Sequence, residues 1–320
     1  MVLGSFGQML LTRTPEGPWA AVLGHPVHHS LSPVMHRAAY AVLGEELSYT
    51  LADVEEDDFA TAVAPALQDP RWRGFSVTMP LKSVACRQAD RLTGFAQVVG
   101  VINTLVPIWA GQERHILGHN TDVSGIVNAL VAAQPHLPER PRAAILGGGG
   151  TASAATAALH ILGADNMTVF VRNPKRTERV ASVADRLGTT LEWAPLEAAP
   201  ARMGEFDVIV STLPARAFDD YAPSISGDLT GLALLDVSYD PWPSGLAVAA
   251  QDRGAAAVSG RDMLLYQAVD QIKLFTGRLL SEELPHQMEV LRAMADAAGV
   301  QARVKAPRKI YDDQTLRPRR

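Results

Sequence analysis

The sequence predicts a two-domain α/β protein in which one domain has a parallel sheet covered by helices. Three observations support this fold class. The chain has 320 residues, which is more than one compact core usually takes. Its middle region alternates short apolar strands with helices, as parallel sheets with helical crossovers do. Four consecutive glycines stand where the first of those strands meets its helix.

The N-terminal region has an alternation of its own. Helical segments separate three predicted strands, at 19–24, 47–53 and 74–79. Ser32 is the predicted N-cap of the first helix, Pro33 takes its first position, and Gly44 ends it. This region therefore forms a separate α/β unit.

The central region has the clearest pattern. A strand at 143–146 leads through the glycine turn 147–150 into an Ala-rich helix at 151–162. Further strands and helices are predicted at 167–172, 174–187, 206–212, 233–238 and 244–253. The Pro-rich segment 135–141 is the predicted linker into this region.

Two last helices are predicted at about 262–275 and 283–298. They are too few to form a domain and are expected to pack on the N-terminal one. The predicted division is an N-terminal domain of 1–123 with 258–300, a central domain of 124–257, and a basic, disordered tail of 301–320.

Composition excludes several classes of function. The net charge of −5 gives no overall footprint for nucleic acid or for an anionic membrane. No segment has the roughly 20 apolar residues that cross a bilayer, and the N-terminus lacks the positive charge of a signal peptide. Cys86 is the single cysteine, which excludes an internal disulfide and fits a cytoplasmic location.

The glycine turn predicts a dinucleotide site. Its pattern, Gly147-x-Gly149-Gly150-x-x-x-Ala154, opens a helix whose backbone N–H groups and dipole can hold a pyrophosphate. A tight strand-to-helix connection can also need glycine for steric reasons alone.

The next strand favours NADP over NAD as the cofactor. It ends in Arg172, followed by Lys175 and Arg176, without the acidic residue that NAD sites place there. Guanidinium groups suit a 2′-phosphate because they form bidentate hydrogen bonds. The alternative is a solvated basic turn.

Polar clusters in the N-terminal region predict a second site. Ser30 and Ser32 stand where a loop meets a helix N-terminus, which suits an anionic ligand, although capping alone accounts for Ser32. In the segment 76–82, Lys82 follows the end of a strand, and Pro80 is predicted to start a helix there. Small polar residues and one acid follow in the segments Asn103-Thr104 and Gly118-His119-Asn120-Thr121-Asp122.

These clusters closely resemble the motifs of the shikimate dehydrogenase family, from about Ala20 to Gly277. Its Ser-x-Ser-Pro, Asn-Val-Thr-x-Pro-x-Lys, Val-Asn-Thr and Asn-Thr-Asp motifs match 30–33, 76–82, 102–104 and 120–122. The family's Gly-x-Gly-Gly-x-x-x-Ala turn matches 147–154, and the arginine of its Asn-Arg-Thr motif matches Arg172. Its tyrosine matches Tyr239, and its Gly-x-Gly-Met…Gln signature matches 260–267. Four departures occur: Ser76 for asparagine, Val123 and Asp262 for glycines, and Val171-Arg172-Asn173 for Asn-Arg-Thr.

The resemblance implies an NADPH-dependent reduction of 3-dehydroshikimate to shikimate in aromatic amino acid biosynthesis. It implies that Lys82 polarises the ring carbonyl and takes part in proton transfer, and that Asp122 orients it and hydrogen-bonds the substrate. The implied substrate-binding residues are Ser30, Ser32, Thr78, Asn103, Tyr239 and Gln267. The implied residues of the Rossmann-like NADP site are Gly147, Gly149, Gly150, Thr151, Arg172, Lys175, Arg176, Thr212 and Gly260.

Two other functions stay open at this point. A quinate or aminoshikimate dehydrogenase would use the same lysine and aspartate on a differently substituted ring. A non-catalytic NADP-binding regulator would keep the glycine turn but would not need the polar clusters. His25, His28, His29 and His36 raise a metal site, but no acidic ligands accompany them, so no metal is expected. The expected partner is a small-molecule substrate, and a homodimer is left open.

Overall fold

The structure is a computed structural model that describes residues 16–110, 112–173, 177–300 and 304–310. These residues fall into two compact units. The first comprises the described parts of Met1–Thr121 and Ala268–Gln301, and the second comprises those of Asp122–Gln267 and Ala302–Arg320. The boundaries therefore lie at 121/122 and 267/268, where the sequence predicted 123/124 and 257/258.

Strands and helices are numbered here in chain order over the described residues. The strands are β1 (Trp19–Gly24), β2 (Ser48–Asp53), β3 (Trp72–Val77), β4 (Arg91–Leu92), β5 (Thr104–Ala110), β6 (Glu113–His119), β7 (Ala143–Leu146), β8 (Asn166–Val171), β9 (Thr190–Pro195), β10 (Val208–Ser211), β11 (Ala233–Asp236) and β12 (Ala256–Ser259). The helices are α1 (Ser32–Leu43), α2 (Phe59–Gln68), α3 (Phe95–Val99), α4 (Asp122–Ala133), α5 (Gly150–Ile161), α6 (Glu178–Leu187), α7 (Ala199–Arg202), α8 (Gly245–Gln251), α9 (Gly260–Phe275) and α10 (Gln287–Ala297).

The first unit is built on a mixed sheet with the strand order β2-β1-β3-β5-β6-β4. β1 is parallel to β2 and β3, whereas β5 is antiparallel to both of its neighbours. Its core is aromatic: the ring centroids of Trp19 and Trp72 lie 5.8 Å and 4.9 Å from that of Phe75. Helix α1 ends at Gly44, whose φ of 67° is left-handed, and α10 packs against α1. Burial of these large rings stabilises the sheet that positions the site.

The second unit has the predicted parallel sheet, so this part of the fold class is confirmed. Its strand order is β12-β11-β10-β7-β8-β9, and every neighbouring pair is parallel. The chain moves outward from β7 through β8 and β9 and then returns to β10 on the other side of β7. Such a reversal opens a crevice at the carboxyl ends of the two strands, which is where α/β proteins bind ligands.

Two local predictions in the first unit are wrong. Helix α1 begins at Ser32 and its N-cap is Leu31, so Ser32 occupies the first helical position instead of the cap. No helix starts at Pro80: turns lead from β3 to a short 3-10 helix at Val84–Gln88. In both places the expected proline signal is present, but it lies one or more residues away from where the helix begins.

Part of the C-terminal tail packs on the second unit, so the expectation of disorder fails for residues 304–310. The Lys305 N–H donates to the Tyr266 hydroxyl at 3.1 Å, and the Arg308 N–H donates to Asn128 Oδ1 at 2.7 Å. Ile310 is buried. A buried apolar residue and two backbone hydrogen bonds offset the ordering entropy of this short segment. Within the described ranges, no helix has the length and apolar character of a membrane span.

Candidate active site

The glycine turn lies at the switch point of the parallel sheet. Gly147 follows β7 and Thr212 follows the neighbouring strand β10. The Thr212 N–H and hydroxyl both donate to the Leu146 carbonyl, at 2.8 and 3.0 Å. The two predicted cofactor residues therefore stand side by side at the carboxyl edge of the second unit.

Part of the glycine requirement in this turn is steric. Gly147 has a left-handed φ of 103°, and a Cβ there would come within 2.6 Å of Thr212 Oγ1. Gly149 differs, because a Cβ there would meet nothing within 4 Å. Gly149 is the N-cap of α5, and Gly150 and Thr151 begin that helix. The turn thus leaves open space beside the first N–H groups of a helix, which fits a pyrophosphate.

The basic segment lies at the same sheet edge. Because β8 runs parallel to β7, with Phe170 paired to Leu146, their carboxyl ends are adjacent, and the exposed Arg172 follows β8 directly. The predicted residues Lys175 and Arg176 lie outside the described residues. Sequence reasoning missed Arg179, whose Nη1 lies 3.7 Å from where a Cβ of Gly150 would be. Its position near the N-terminus of α6 gave no sequence signal.

The other second-unit residues gather around the start of α9. Gly260 opens this helix directly after β12, and any side chain there would overlap the Val237 carbonyl. Tyr239 is half-buried, and burial raises the pKa of its phenol although Arg261 opposes the shift. Gln267 is buried, with its Nε2 donating to the Leu264 carbonyl at 3.1 Å.

The departure at Asp262 has a structural role. Its Oδ2 accepts hydrogen bonds from the backbone N–H and the hydroxyl of Ser259, at 3.0 and 2.9 Å. Burial raises the pKa of this carboxyl, and the two Ser259 bonds oppose that rise. Asp262 therefore fixes the junction of β12 and α9.

The capping role that the sequence assigned to Ser32 belongs to Ser30. Ser30 Oγ accepts the backbone N–H of Ser32 at 3.3 Å, so Ser30 satisfies a donor of the first turn of α1. Ser32 itself is buried; burial raises the pKa of the Tyr49 phenol, and the neighbouring Ser32 side chain opposes that rise. Capping accounts for part of the role of Ser30, whereas Ser32 lies beside a side chain from β2.

Lys82 lies in the turns that follow β3. The Thr78 N–H donates to the Leu23 carbonyl at 2.9 Å, which joins the ends of β3 and β1. Lys82 is half-buried, and its carbonyl accepts the Ile102 N–H at 3.3 Å. The single thiol, that of Cys86, also lies over the Lys82 carbonyl, with a sulfur–oxygen distance of 3.6 Å. The backbone of Lys82 is thus fixed from two directions.

Within the first unit, Asn103 holds Thr121, the residue before Asp122. Asn103 is buried, its Oδ1 accepts the Thr121 N–H at 2.8 Å, and its Nδ2 donates to Thr121 Oγ1 at 2.9 Å. Asp122 follows Thr121 in the chain and is the buried first residue of α4. The departure Val123 is also buried, in the same turn.

Strand directions bring the first-unit residues to one edge. Ser30 follows β1, while Thr78 and Lys82 follow β3, which is parallel to β1. Asn103 precedes β5, which is antiparallel to β3, so it reaches the same edge, and the Val77 N–H donates to its carbonyl at 2.7 Å. Of the predicted substrate and catalytic residues, the first unit holds Ser30, Ser32, Thr78, Lys82 and Asn103, and the second holds Asp122, Tyr239 and Gln267.

A buried polar network beside this edge escaped the sequence analysis. Tyr49 donates to Ser76 Oγ at 2.6 Å, and Ser76 donates to Gln271 Oε1 at 2.7 Å. His36 stacks on Tyr49 with ring centroids 3.9 Å apart, and burial lowers the pKa of His36 to about 3 although the Gln271 side chain opposes the shift. The departure at Ser76 was the one sequence signal that pointed to this network.

Two of the clustered histidines bind an acid at the end of β2. His25 Nδ1 lies 2.6 Å from Asp53 Oδ1, and His28 Nε2 lies 3.5 Å from Asp53 Oδ2. Across the part of the chain that the structure describes, no three His, Cys, Asp or Glu side chains form a group that could hold a metal ion.

Fold and site together define a class: a two-unit α/β protein with a dinucleotide-type crevice in one unit and a compact polar edge in the other. Comparison with known proteins identifies the family within that class. The family described as "Shikimate dehydrogenase substrate binding domain" matches residues 22–105. The shikimate dehydrogenase (NADP(+)) of Rubrobacter xylanophilus is 36% identical over 265 residues, or 82% of this chain and 92% of the relative. The chain belongs to the shikimate dehydrogenase family, as its motifs predicted.

Further relatives agree in sequence and in structure. The shikimate dehydrogenase (NADP(+)) of Methylobacterium radiotolerans is 37% identical over 266 residues, or 81% of this chain and 92% of the relative. The crystal structure of Mycobacterium tuberculosis shikimate dehydrogenase has a TM-score of 0.75 at 35% identity, covering 88% of this chain and 99% of its own. That of Thermus thermophilus shikimate 5-dehydrogenase, in complex with NADP(H) and shikimate, has a TM-score of 0.70 at 29% identity, with 88% and 99% covered.

Proposed function

We propose that this chain is an NADP-dependent shikimate dehydrogenase that interconverts 3-dehydroshikimate and shikimate, a step toward the aromatic amino acids. The observation that carries the proposal is the polar edge of the first unit, where two serines, a threonine, a lysine and an asparagine lie at the ends of adjacent strands. Relatives that bear this name match more than four fifths of the chain. One of the similar structures holds NADP(H) and shikimate together.

The serines are suited to the substrate carboxylate. Ser32 is the first residue of α1, where the helix dipole favours a negative charge, and Ser30 is two residues before it. The ring hydroxyls would be bound by Thr78, Asn103, Tyr239 and Gln267. Fixing the ring at both its carboxylate and its hydroxyls orients the carbonyl for reduction.

Lys82 and Asp122 are the proposed catalytic residues. In the direction of reduction, the Lys82 ammonium polarises the ring carbonyl and transfers a proton to its oxygen. In the direction of oxidation, the neutral amine takes that proton back from the hydroxyl. Asp122 accepts a hydrogen bond from the substrate and orients the group that Lys82 protonates.

The second unit is the proposed NADP site. NADPH supplies the hydride when it is bound. The pyrophosphate would lie on the open face of the glycine turn at Gly147, Gly149, Gly150 and Thr151, with Thr212 and Gly260 at the neighbouring strand ends. Arg172 would bind the 2′-phosphate by charge-assisted hydrogen bonds, and on sequence grounds Lys175 and Arg176 would assist it.

A single absorbance assay tests the proposal. Purified protein is given shikimate or quinate, each with NADP or NAD, and reduction of the nicotinamide is followed. Shikimate with NADP is expected to give the highest kcat/KM. A higher value with quinate would favour the quinate dehydrogenase alternative. Tight NADP binding without turnover of either polyol would favour the non-catalytic regulator.

Three further assignments stay predictions. We infer that the first unit binds the substrate and the second binds the cofactor, and that the protein works in the cytoplasm, which its single cysteine fits. The oligomeric state is left open by the sequence, with a homodimer as one candidate, and light scattering coupled to gel filtration tests it: a mass near 34.3 kDa would contradict the dimer.

A further inference from the structure

The side chain of Gln271 is buried at the centre of the polar edge of the first unit, one helical turn after Gln267 on α9. It is 1% exposed. Its Nε2 donates to Thr104 Oγ1 at 2.9 Å and to the Asn103 carbonyl at 3.1 Å, and its Oε1 accepts the Ser76 hydroxyl at 2.7 Å. One carboxamide thus joins three strand-end residues.

The orientation of this carboxamide follows from its partners. A backbone carbonyl can only accept, so the atom facing Asn103 is the nitrogen and the atom facing Ser76 is the oxygen. Ser76 must then donate to Gln271, and its oxygen is left to accept the Tyr49 proton at 2.6 Å. The network has a single direction from Tyr49 through Ser76 to Gln271.

Each end of the network reaches a residue of the proposed substrate site. At one end, Tyr49 lies beside Ser32, the proposed carboxylate ligand, whose side chain lowers the pKa of the phenol against the larger effect of burial. At the other end, the Thr104 hydroxyl that receives the Gln271 amide donates to Asn103 Oδ1 at 2.8 Å. That same oxygen holds the Thr121 N–H, and Thr121 precedes Asp122 in the chain.

We propose that Gln271 is a positioning residue for the reduction of the ring carbonyl: its carboxamide sets the geometry of Asn103 and Thr121 on one side and of Ser32 on the other. This inference rests on the proposed function. Ser76 stands where the family motif has asparagine, and in this chain its hydroxyl donates to a carboxamide that comes from α9. Without Gln271, the Ser76 hydroxyl would lose the acceptor of its proton and the Asn103 carbonyl would lose one of its donors, so both groups would shift.

The first test replaces Gln271 with methionine, which keeps the volume and removes the hydrogen bonds. Because a small misplacement of a reacting group is costly, kcat for shikimate oxidation is expected to fall by about 10- to 100-fold and KM for shikimate to rise. KM for NADP should stay unchanged. Thr276→Val is the matched control. Thr276 lies just after α9, and its hydroxyl donates to the Ile272 and Lys273 carbonyls without touching the network.

A second pair of variants separates positioning from stability. Ser76→Ala cuts the network at a single hydroxyl and is expected to raise KM for shikimate more than it lowers kcat, because it detaches the Tyr49 branch. Its effect should be strongly non-additive with that of Gln271→Met. Ser76→Asn in a Gln271→Ala background returns a carboxamide from the strand side and should recover a large part of kcat/KM. If Gln271→Met does not fold, Ser76→Ala decides alone.

The outcomes separate failure of the positioning role from failure of the proposed function. An active parent protein whose Gln271→Met and Ser76→Ala variants keep parental kcat and KM would overturn the positioning role and leave the proposed function standing. The positioning role would also be overturned if the variants lost activity only in proportion to a lower melting temperature and Thr276→Val lost activity in the same way. A parent protein that does not oxidise shikimate would overturn the proposed function and this inference with it.

Discussion

At the scale of single residues, the proposed chemistry depends on Lys82 and Asp122. A positioned proton donor or acceptor typically contributes about 10²- to 10⁴-fold to a rate. Lys82→Met or Asp122→Asn is therefore expected to lower kcat by that factor, with a much smaller change in shikimate affinity. Steady-state kinetics with a binding titration checks this. The double variant should be little worse than either single one because the residues act as a unit, and near-parental kcat in either variant would exclude the assignment.

The two serines should respond differently to alanine. Both Ser30→Ala and Ser32→Ala are expected to raise KM for shikimate without changing KM for NADP. Only Ser30 accepts a backbone N–H of the first turn of α1, so Ser30→Ala should also lower the free energy of unfolding by about 1 kcal/mol. Kinetics and denaturant unfolding on both variants separate the effects. Loss of stability with unchanged KM would mean that the carboxylate binds elsewhere.

Cofactor choice should depend on Arg172. Because its guanidinium forms charge-assisted hydrogen bonds with a 2′-phosphate, Arg172→Ala should weaken NADP binding by about 10-fold or more and leave NAD binding unchanged. Arg140→Ala is the control, since Arg140 precedes β7 and therefore lies near the amino ends of the strands, away from their carboxyl ends. NADP affinity should also fall more steeply with salt than NAD affinity does. Equal use of both cofactors by the parent protein would refute this role.

At the scale of elements, the loop between β1 and α1 carries a titrating contact. The hydrogen bond that His25 donates to Asp53 raises the pKa of His25, slight burial opposes it, and the negative charges of Asp53 and Glu55 add to the rise. Burial alone would raise the pKa of Asp53, but its bonds from His25 and the Val27 N–H outweigh burial and lower it. The contact is therefore strongest between the lowered pKa of Asp53 and the raised pKa of His25.

The sign of the pH effect follows. The contribution of His25 is complete below its unfolded pKa and is lost as the pH rises through the raised folded value. KM for shikimate should therefore increase as the pH rises above the ordinary imidazole pKa of about 6.5 and through the raised value of His25, because the loop that carries Ser30 loses its charged anchor. The measurement is KM against pH for the parent protein and for His25→Gln, in which this rise should be absent. Parallel profiles would show that the loop does not depend on His25.

Element prediction succeeded where local chemistry dictates the backbone. β1, β7, the glycine turn and the end of α1 at Gly44 follow from apolar runs and from glycines that tolerate left-handed φ. The β5–β6 hairpin was not predicted, and the start of α1 was displaced by one residue because Ser30, instead of Ser32, satisfies its first turn. A serine at either position could cap this helix, and which one does so depends on the direction of its side chain.

At the scale of the whole molecule, the sequence could predict candidate site residues from their motifs, but it could not predict the contacts that hold them. Ser76 and Gln271 are 195 residues apart in the chain. The pattern shows that Ser76 departs from the family motif, but only the fold shows which residue faces it. The boundary between the units at 267/268 falls inside the uninterrupted helix α9, where no glycine or proline marks it.

The thiol of Cys86 over the Lys82 carbonyl has a practical consequence. Because the chain contains one cysteine, a maleimide dye attaches at a single known place without any engineering. That place is four residues from Lys82, next to the backbone that orients it. The fluorescence of the labelled protein is therefore expected to change when a ligand binds, with oxidised or reduced nicotinamide and also with polyols that are not turned over.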